Sequence, residues 1–214
     1  FPLKKSKMIK YIRSLLLRLP TLYLFLHIFR PRLPAVKGGL KNIHNNFKIL
    51  DSQSTLAVDL GCGFSPSNYF DADKCIGVDL IEDKKQNILK CNLGFEKLPF
   101  ESNSVNYITA YDLLEHIPKF ALAPECNNAP FIFLMNECYR VLKKDGIFFS
   151  HTPVYPYLGA FVDPTHNNIM TSETFKDYFS DQQIEIAKHY GIKTNFKIRY
   201  QGMSGMHLVA VLEK

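Results

Sequence analysis

The sequence has 214 residues, of which 46% are hydrophobic and 21% are charged, a composition typical of a globular domain with a sizeable core. The formal net charge is +6, but the excess lies in residues 1–48, which contain eleven Lys and Arg residues and no Asp or Glu. The remainder is slightly acidic, which argues against a nucleic-acid-binding domain. The five cysteines are scattered without C-x-x-C spacing, a pattern that indicates reduced thiols of a cytoplasmic protein and excludes a disulfide framework.

In chain order, residues 1–40 are predicted to form a basic, apolar helical segment, followed by one domain over residues 41–214. Charged residues and Pro20 interrupt the leucine-rich run, so no span of about 20 apolar residues remains to cross a membrane. No small-residue cleavage site follows, which argues against a signal peptide. Two interpretations stay open. The segment caps the domain or lines its substrate entrance, or residues 3–29 lie on an anionic membrane surface as a peripheral contact.

The next feature is the stretch T-L-A-V-D-L-G-C-G-F-S-P, residues 55–66. Its apolar residues predict a short buried strand, and Asp59 lies near the end of that strand. Gly61 and Gly63 follow with one residue between them. A strand that runs into a Gly-x-Gly turn is typical of α/β sheets that bring their backbone close to a bound nucleotide.

A second apolar strand is predicted over Cys75–Leu80, and it too ends on an acid, Asp79. Asp79 follows Asp59 by about 20 residues, the spacing that places an acid at the end of the neighbouring strand of a βαβ unit. A carboxylate there accepts hydrogen bonds only and can take one from each of two ribose hydroxyls.

Further along, Val105–Tyr111 is predicted as a third strand and Asp112–Ile117 as the beginning of a helix. A longer helix is predicted from Pro130 to Gly146, because basic residues precede the terminal glycine. Gly146–Pro153 is predicted as a fourth strand. Strands alternating with helices favour a parallel α/β sheet.

These blocks together resemble the class I S-adenosylmethionine-dependent methyltransferases, close to the type 11 group. The matching blocks are V-D-L-G-C-G (58–63), I-G-V-D-L (76–80), L-P-F-E-S-N-S-V-N-Y-I (98–108), L-L-E-H-I (113–117) and E-C-Y-R-V-L-K-K-D-G (137–146). The resemblance implies an α/β fold, a Rossmann-like seven-stranded, mostly parallel sheet with helices on both faces and an antiparallel last strand. Gly202–Leu212 fits that strand, with Phe196–Tyr200 as its hairpin partner.

The resemblance also assigns residues to the cofactor, S-adenosylmethionine. Asp59, Gly61 and Gly63 are expected around its methionine portion. Asp79 is expected to hold the ribose, and Leu80 to flank the adenine.

Three more positions belong to this expectation. Asn92 stands where many relatives carry an acid that meets the adenine amino group. Tyr111 and Asp112 follow the strand whose end lies beside the methyl group. The absence of a third glycine after Gly63 argues against a nicotinamide dehydrogenase.

The candidate catalytic residues lie in the second half of the chain. His151 is predicted at the carboxyl end of the fourth strand, where ligands of open α/β sheets bind. Asp163 and His166, in D-P-T-H, are spaced to share one turn, so that the carboxylate can fix the imidazole tautomer. Structural roles are the alternative for each. No metal is expected, because the pattern lacks a metal-specific spacing.

The sequence therefore predicts methyl transfer from S-adenosylmethionine to a small-molecule or glycan acceptor, with a hydroxyl as the expected methylated group. The alternative within the same class is a lipid-linked or quinone-type acceptor at a membrane surface. The alternative from another class is a cofactor-binding protein without turnover. His116 is interpreted as structural or cofactor-side, and His207 as incidental.

Overall fold

The computed structural model describes residues 33–49, 54–122, 128–181 and 184–214, apart from the side chains of residues 184 and 186. Residues 34–214 form one compact unit. Most of the predicted basic segment, residues 1–32, lies outside the described residues. In the described part of the chain, no helix is long and apolar enough to cross a membrane.

Seven strands form one sheet: β1 (Leu56–Leu60), β2 (Lys74–Asp79), β3 (Ile88–Lys90), β4 (Val105–Tyr111), β5 (Leu142–Pro153), β6 (Lys197–Ser204) and β7 (His207–Glu213). The described helices are α1 (Gly39–Asn46), α2 (Pro130–Val141), α3 (Thr174–Tyr178) and α4 (Ile184–His189), with short 3-10 turns at Leu114–His116 and Leu158–Ala160.

The strands are arranged in the order β3-β2-β1-β4-β5-β7-β6. The first five are mutually parallel, and β7 runs antiparallel to both of its neighbours, β5 and β6. This arrangement confirms the predicted Rossmann-like sheet with an antiparallel last strand.

Helices cover both faces of the sheet, as predicted. On one face, Ile43 of α1 packs in a core cluster with Phe70, Phe149 and Val211. On the other face, Phe148 packs against Phe196, 6.2 Å away between ring centroids. Phe196 in turn contacts Tyr139 of α2.

Several predicted boundaries were wrong. Helix α2 ends at Val141 rather than at Gly146, because Leu142 pairs with Val105 of β4 and is completely buried in the sheet. The hydrogen bonds from Asn103 and Ser104 to the carbonyls of the last α2 turn close the helix end.

Three other differences concern segments that follow or join strands. The segment predicted as a helix from Asp112 contains only the 3-10 turn Leu114–His116. The stretch predicted as a single last strand, Gly202–Leu212, is divided by a turn. Gly205, at a φ of 61°, lies in this turn between β6 and β7. Between β1 and β2, residues 61–73 form turns and no helix.

Candidate active site

The predicted site residues gather at one edge of the sheet. Because β1, β2, β4 and β5 are parallel, their carboxyl ends meet there, with Gly61, Asp79, Asp112 and His151 at or just past those ends. Strand β7 runs the opposite way, so its first residue, His207, reaches the same edge beside Pro153.

The two glycines of the turn after β1 share a backbone conformation but differ in the space around them. Both have left-handed backbone angles, with φ of 65° at Gly61 and 61° at Gly63. A Cβ on Gly61 would lie 2.8 Å from Cδ1 of Leu113, whereas a Cβ on Gly63 would meet nothing within 4 Å. Gly61 therefore permits close packing, and Gly63 leaves open space beside the turn.

Asp59, near the end of β1 just before this turn, is 5% exposed. Its carboxylate accepts hydrogen bonds from Thr109 Oγ1 at 2.6 Å and from the Ser67 amide at 2.9 Å. Burial raises the pKa of Asp59, and these two hydrogen bonds act in the opposite direction. A direct contact between Asp59 and the cofactor stays a prediction.

Asp79 ties the glycine turn to β2. One carboxylate oxygen accepts from the Gly63 amide at 2.8 Å and the other from the Leu80 amide at 2.7 Å. Each oxygen keeps lone pairs for a further donor. Leu80 is 60% exposed beside it, and exposed Asn92 lies two residues beyond β3. The residues predicted to bind ribose and adenine are thus neighbours at the sheet edge.

A second group of polar residues forms where β4, β5 and β7 meet. Asp112 Oδ1 lies 3.1 Å from Nδ1 of His151 and 3.4 Å from Nε2 of His207. The hydrogen bond with His151 keeps the pKa of Asp112 below its usual value. Burial, followed by the charge of His151, lowers the pKa of His207. The Asp112 carboxylate therefore contacts the imidazole rings of both His151 and His207.

Aromatic rings continue this group across the sheet edge. Four rings form a continuous stack, in which each ring lies on the next: Tyr69, Tyr111, His151 and His207. The distances between successive ring centroids are 4.3, 5.3 and 4.3 Å. Tyr111 also bonds through its hydroxyl to Nε2 of His44 in α1, at 2.8 Å.

The electrostatics of that last bond follow from burial. Burial, assisted by the charge of Lys48, lowers the pKa of His44 from 6.5 to about 4, so its ring is neutral at pH 7. Burial also raises the pKa of Tyr111. The neutral imidazole of His44 therefore accepts a hydrogen bond from the Tyr111 hydroxyl, and this bond fixes α1 against the end of β4.

A cavity of about 350 Å³ opens between α1 and these rings. Its walls combine aromatic faces, amides and charged groups, contributed by Leu40, Lys41, His44, Asn45, Asn68, Tyr69, Asp71 and Tyr111. The cavity therefore shares Tyr111 with the ring stack that contains His151.

The D-P-T-H loop lies beside the turn at Leu114–His116. His166 and Asp163 share one turn, as predicted, through a backbone hydrogen bond of 3.1 Å. Their side chains are 3.9 Å apart, however, and Nδ1 of His166 lies closer to the Ala160 carbonyl, at 3.3 Å. The Asp163 carboxylate accepts instead from Thr165.

The structure thus separates the predicted catalytic residues into two places, His151 with Asp112 and His166 with Asp163. Sequence reasoning missed His44, and it interpreted His207 as incidental, whereas the structure places His207 against His151. An available signal was the predicted antiparallel direction of β7, which brings the start of that strand to the ligand-binding edge.

Comparisons with known proteins agree with this geometry. The sequence profile of the family described as "Methyltransferase domain" matches residues 58–150. A search of curated proteins gives no match.

Three solved structures illustrate the shared fold. The complex between the Haloferax volcanii Trm112 methyltransferase activator and a protein described as a methyltransferase matches at 13% identity, over 81% of this chain and 88% of that one, with a TM-score of 0.51. The cyclase SpnF matches at 13% identity over 86% and 87%, with a TM-score of 0.52. A protein from Bacillus halodurans, also described as a methyltransferase, matches at 15% identity over 77% and 71%, with a TM-score of 0.50.

The residues present fit the expected cofactor. The open space beside Gly63 suits a close contact between the backbone and the cofactor. Asp79 has lone pairs left for ribose hydroxyls, and the exposed side chain of Leu80 can flank a flat ring. Residues 58–150 form a class I S-adenosylmethionine-dependent methyltransferase domain, and the chain is an enzyme that uses S-adenosylmethionine as its methyl donor.

Proposed function

We propose that this enzyme methylates a hydroxyl group of a small-molecule or carbohydrate acceptor, with His151 as the general base. The observation that carries this proposal is the hydrogen bond of 3.1 Å between Asp112 and His151 at the carboxyl edge of the sheet. A hydroxyl acceptor needs a proton acceptor, whereas a carboxylate or thiolate acceptor needs positioning alone.

The Asp112–His151 pair has a definite polarity. A carboxylate only accepts hydrogen bonds, so the proton between the two groups belongs to Nδ1 of His151. In the neutral ring, Nε2 is then unprotonated and able to take a proton. The side chain of His151 is 12% exposed, so the ring is held by its surroundings while retaining limited access.

The chemistry requires little more from the protein than alignment and one proton transfer. The bound cofactor supplies a sulfonium-activated methyl group. As the acceptor oxygen took the methyl group and the methyl–sulfur bond electrons remained on sulfur, Nε2 of His151 would take the hydroxyl proton. In this proposal the sheet edge has to align the reacting groups and exclude water from them.

The cavity beside α1 supports a hydroxylated acceptor. Among the lining residues, Tyr69 and Tyr111 offer aromatic rings, and Lys41 and Asn45 offer hydrogen-bonding groups. Such a mixture is typical of pockets that orient a small polar molecule by a few placed groups. Tyr111 lines the cavity and also stacks on His151.

His166 and Asp163 stay a second predicted acceptor-side pair. Their separation of 3.9 Å is too long for the orienting hydrogen bond. We therefore place the proton transfer at His151 in preference to His166.

One observation favours the alternative acceptor, a lipid-linked or quinone-type molecule. Leu158 and Val162, on the loop that precedes D-P-T-H, are 71% and 63% exposed, and Phe161 is 51% exposed. Apolar side chains at a loop tip suit an amphipathic acceptor or a membrane surface. Flotation with anionic vesicles tests this second proposal, and equal recovery of wild type and the Leu158→Ser/Val162→Ser variant would count against it.

A screen with methyl-labelled S-adenosylmethionine tests the main proposal. Hydroxylated glycans and phenols, carboxylic acids and amines are supplied in parallel, and the labelled product is examined by NMR. Label on an ether oxygen supports the proposal. Label on nitrogen or on a carboxylate oxygen would overturn it.

A further inference from the structure

A compact set of metal-ligating side chains lies outside the Asp112–His151 pair. Glu115 and His116 come from the 3-10 turn after β4, and His166 comes from the D-P-T-H loop. One ligating atom of each residue lies within 4.8 Å of those of the other two. We call these three residues the loop-anchor cluster.

The hydrogen bonds around the cluster fix the tautomers of both imidazoles. Nδ1 of His166 faces the carbonyl of Ala160 at 3.3 Å, so it carries the proton. The Thr165 hydroxyl donates to Asp163 at 2.6 Å, so it accepts from Nδ1 of His116 at 2.9 Å. Each ring therefore keeps an unprotonated Nε2.

This pattern is the one found around metal-binding histidines. Such rings donate their second N–H to a carbonyl or, directly or through a relay, to a carboxylate, which fixes their orientation and raises their basicity. Here the Ala160 carbonyl supports His166, and the Thr165–Asp163 relay supports His116.

The third member supplies the negative charge. Glu115 is only 2% exposed, and one of its carboxylate oxygens accepts from Thr152 Oγ1 at 2.7 Å. A buried carboxylate is costly unless it is paired or coordinates a metal. A divalent cation beside Glu115 would balance this charge.

Ring orientation separates this cluster from the other candidate group in the described part of the chain. His116 and His166 are nearly perpendicular, at 77°, which lets their in-plane lone pairs converge on one ion. His151 and His207 are nearly parallel, at 10°, with 4.3 Å between centroids, so their lone pairs run side by side. Their shared partner Asp112 already accepts a hydrogen bond from Nδ1 of His151.

We propose that Glu115, His116 and His166 bind a divalent transition metal of the zinc type and that this ion anchors the D-P-T-H loop to the turn after β4. Two imidazoles and one carboxylate form a ligand set that zinc accepts, with water completing the coordination. The ion is structural in this proposal and is independent of the acceptor.

Cobalt binding to the full-length chain tests the site. The protein is treated with a chelator, dialysed and titrated with Co²⁺ in the absence of cofactor and acceptor. We expect one equivalent to give visible ligand-field absorption and Zn²⁺ to displace it. At a hundredfold excess over Kd, Zn²⁺ should raise Tm by about 5 °C or more.

Variants locate the ion. His166→Ala and His116→Ala should each weaken Co²⁺ binding at least tenfold, and circular dichroism shows whether they fold. His189→Ala, at an exposed position of α4, and His151→Ala should bind as wild type does. No Co²⁺ absorption in wild type, or unchanged absorption in folded His166→Ala, would overturn the proposal. Loss of Co²⁺ binding in His151→Ala would contradict the proposal and place the ion at Asp112, His151 and His207 instead. None of these measurements depends on methyl transfer.

Discussion

The cofactor side and the acceptor side of this enzyme are built in different ways. On the cofactor side, a glycine turn and an acid 16 residues further along are joined directly, through the hydrogen bond from the Gly63 amide to Asp79. On the side proposed to hold the acceptor, the bond between His44 and Tyr111 spans 67 residues, and the bond between Asp112 and His151 spans 39. On the first side the glycine turn and Asp79 are near in sequence, although Asp59 there bonds to Thr109, 50 residues away. On the second side both of these bonds are long-range.

The difference teaches where sequence change is tolerated. A turn held by backbone amides depends on glycine conformation and on a few carboxylates, so it admits few substitutions. A surface assembled from α1, the D-P-T-H loop and the start of β7 can change at each part separately. The side proposed to hold the acceptor is therefore built from side chains on separate elements.

The first test removes the proposed general base and leaves the predicted cofactor-binding residues unchanged. His151→Ala is expected to lower kcat by about 10²–10⁴-fold, because it removes the proton acceptor. Affinity for S-adenosylhomocysteine, measured by calorimetry, should stay unchanged. His189→Ala serves as an exposed control. A variant with full kcat would remove His151 from the mechanism.

The second test uses pH on the same side. The unfolded His44 protonates near pH 6.5, whereas the folded residue protonates near about 4 because of burial and, secondarily, Lys48. Between these values the unfolded state binds more protons, so stability falls as pH falls. The loss approaches about 3 kcal/mol once the pH falls below the folded value and both states are protonated, at about 1.4 kcal/mol per pKa unit.

His44→Gln isolates this effect, since glutamine stays neutral and can still accept from Tyr111. Urea unfolding of wild type and variant at several pH values gives the difference. The stability of wild type should decrease relative to that of the variant between pH 6.5 and 4. Parallel curves would show that His44 titrates normally in the folded chain.

The third test breaks the cofactor side. Asp79→Ala is expected to weaken S-adenosylmethionine binding about 100-fold, because hydrogen bonds to a charged acceptor contribute about 1.5–3 kcal/mol each. Glu82→Ala, an exposed carboxylate three residues on, is the matched control. Calorimetry measures both, and equal affinities in the two variants would contradict the ribose assignment.

The same contrast explains how far the sequence could predict the structure. Strand β4 was predicted with its observed limits, and β1 and β2 to within a residue or so, because short apolar runs bounded by acids and glycines are local signals. The predicted end of α2 was wrong because the helix is ended by the pairing of Leu142 with Val105. This pairing is a tertiary contact, and no local sequence signal marks it.

The candidate site divides likewise. The glycine turn, Asp79 and the edge position of His151 followed from motif and topology. His44 could not be found, since its role depends on how α1 packs on the ring of Tyr111, and its short helix carries no catalytic motif. His207 could have been found from the strand direction, but its contact with Asp112 depends on the left-handed backbone of that residue, at a φ of 45°.

The fourth test concerns His207 as a positioning residue. His207→Ala should lower kcat about tenfold with little change in KM, because Asp112 and the ring of His151 lose their shared neighbour. His207→Phe restores the stacked ring without the hydrogen-bonding nitrogen. Partial recovery in the Phe variant would assign the effect to stacking. Wild-type kcat in both variants would return His207 to the incidental role expected from the sequence.

The smallest expected effect lies at the one cofactor position that departs from the family pattern. Asn92 is exposed just beyond β3, and Asn92→Asp would supply a carboxylate for the adenine amino group. The affinity for S-adenosylhomocysteine should rise by about threefold, as expected of one solvent-exposed hydrogen bond. The inosine analogue lacks the amino group and is the matched control ligand, so its affinity should not rise. An equal gain for both ligands would assign the effect to charge alone, and no gain for either would place Asn92 away from the adenine.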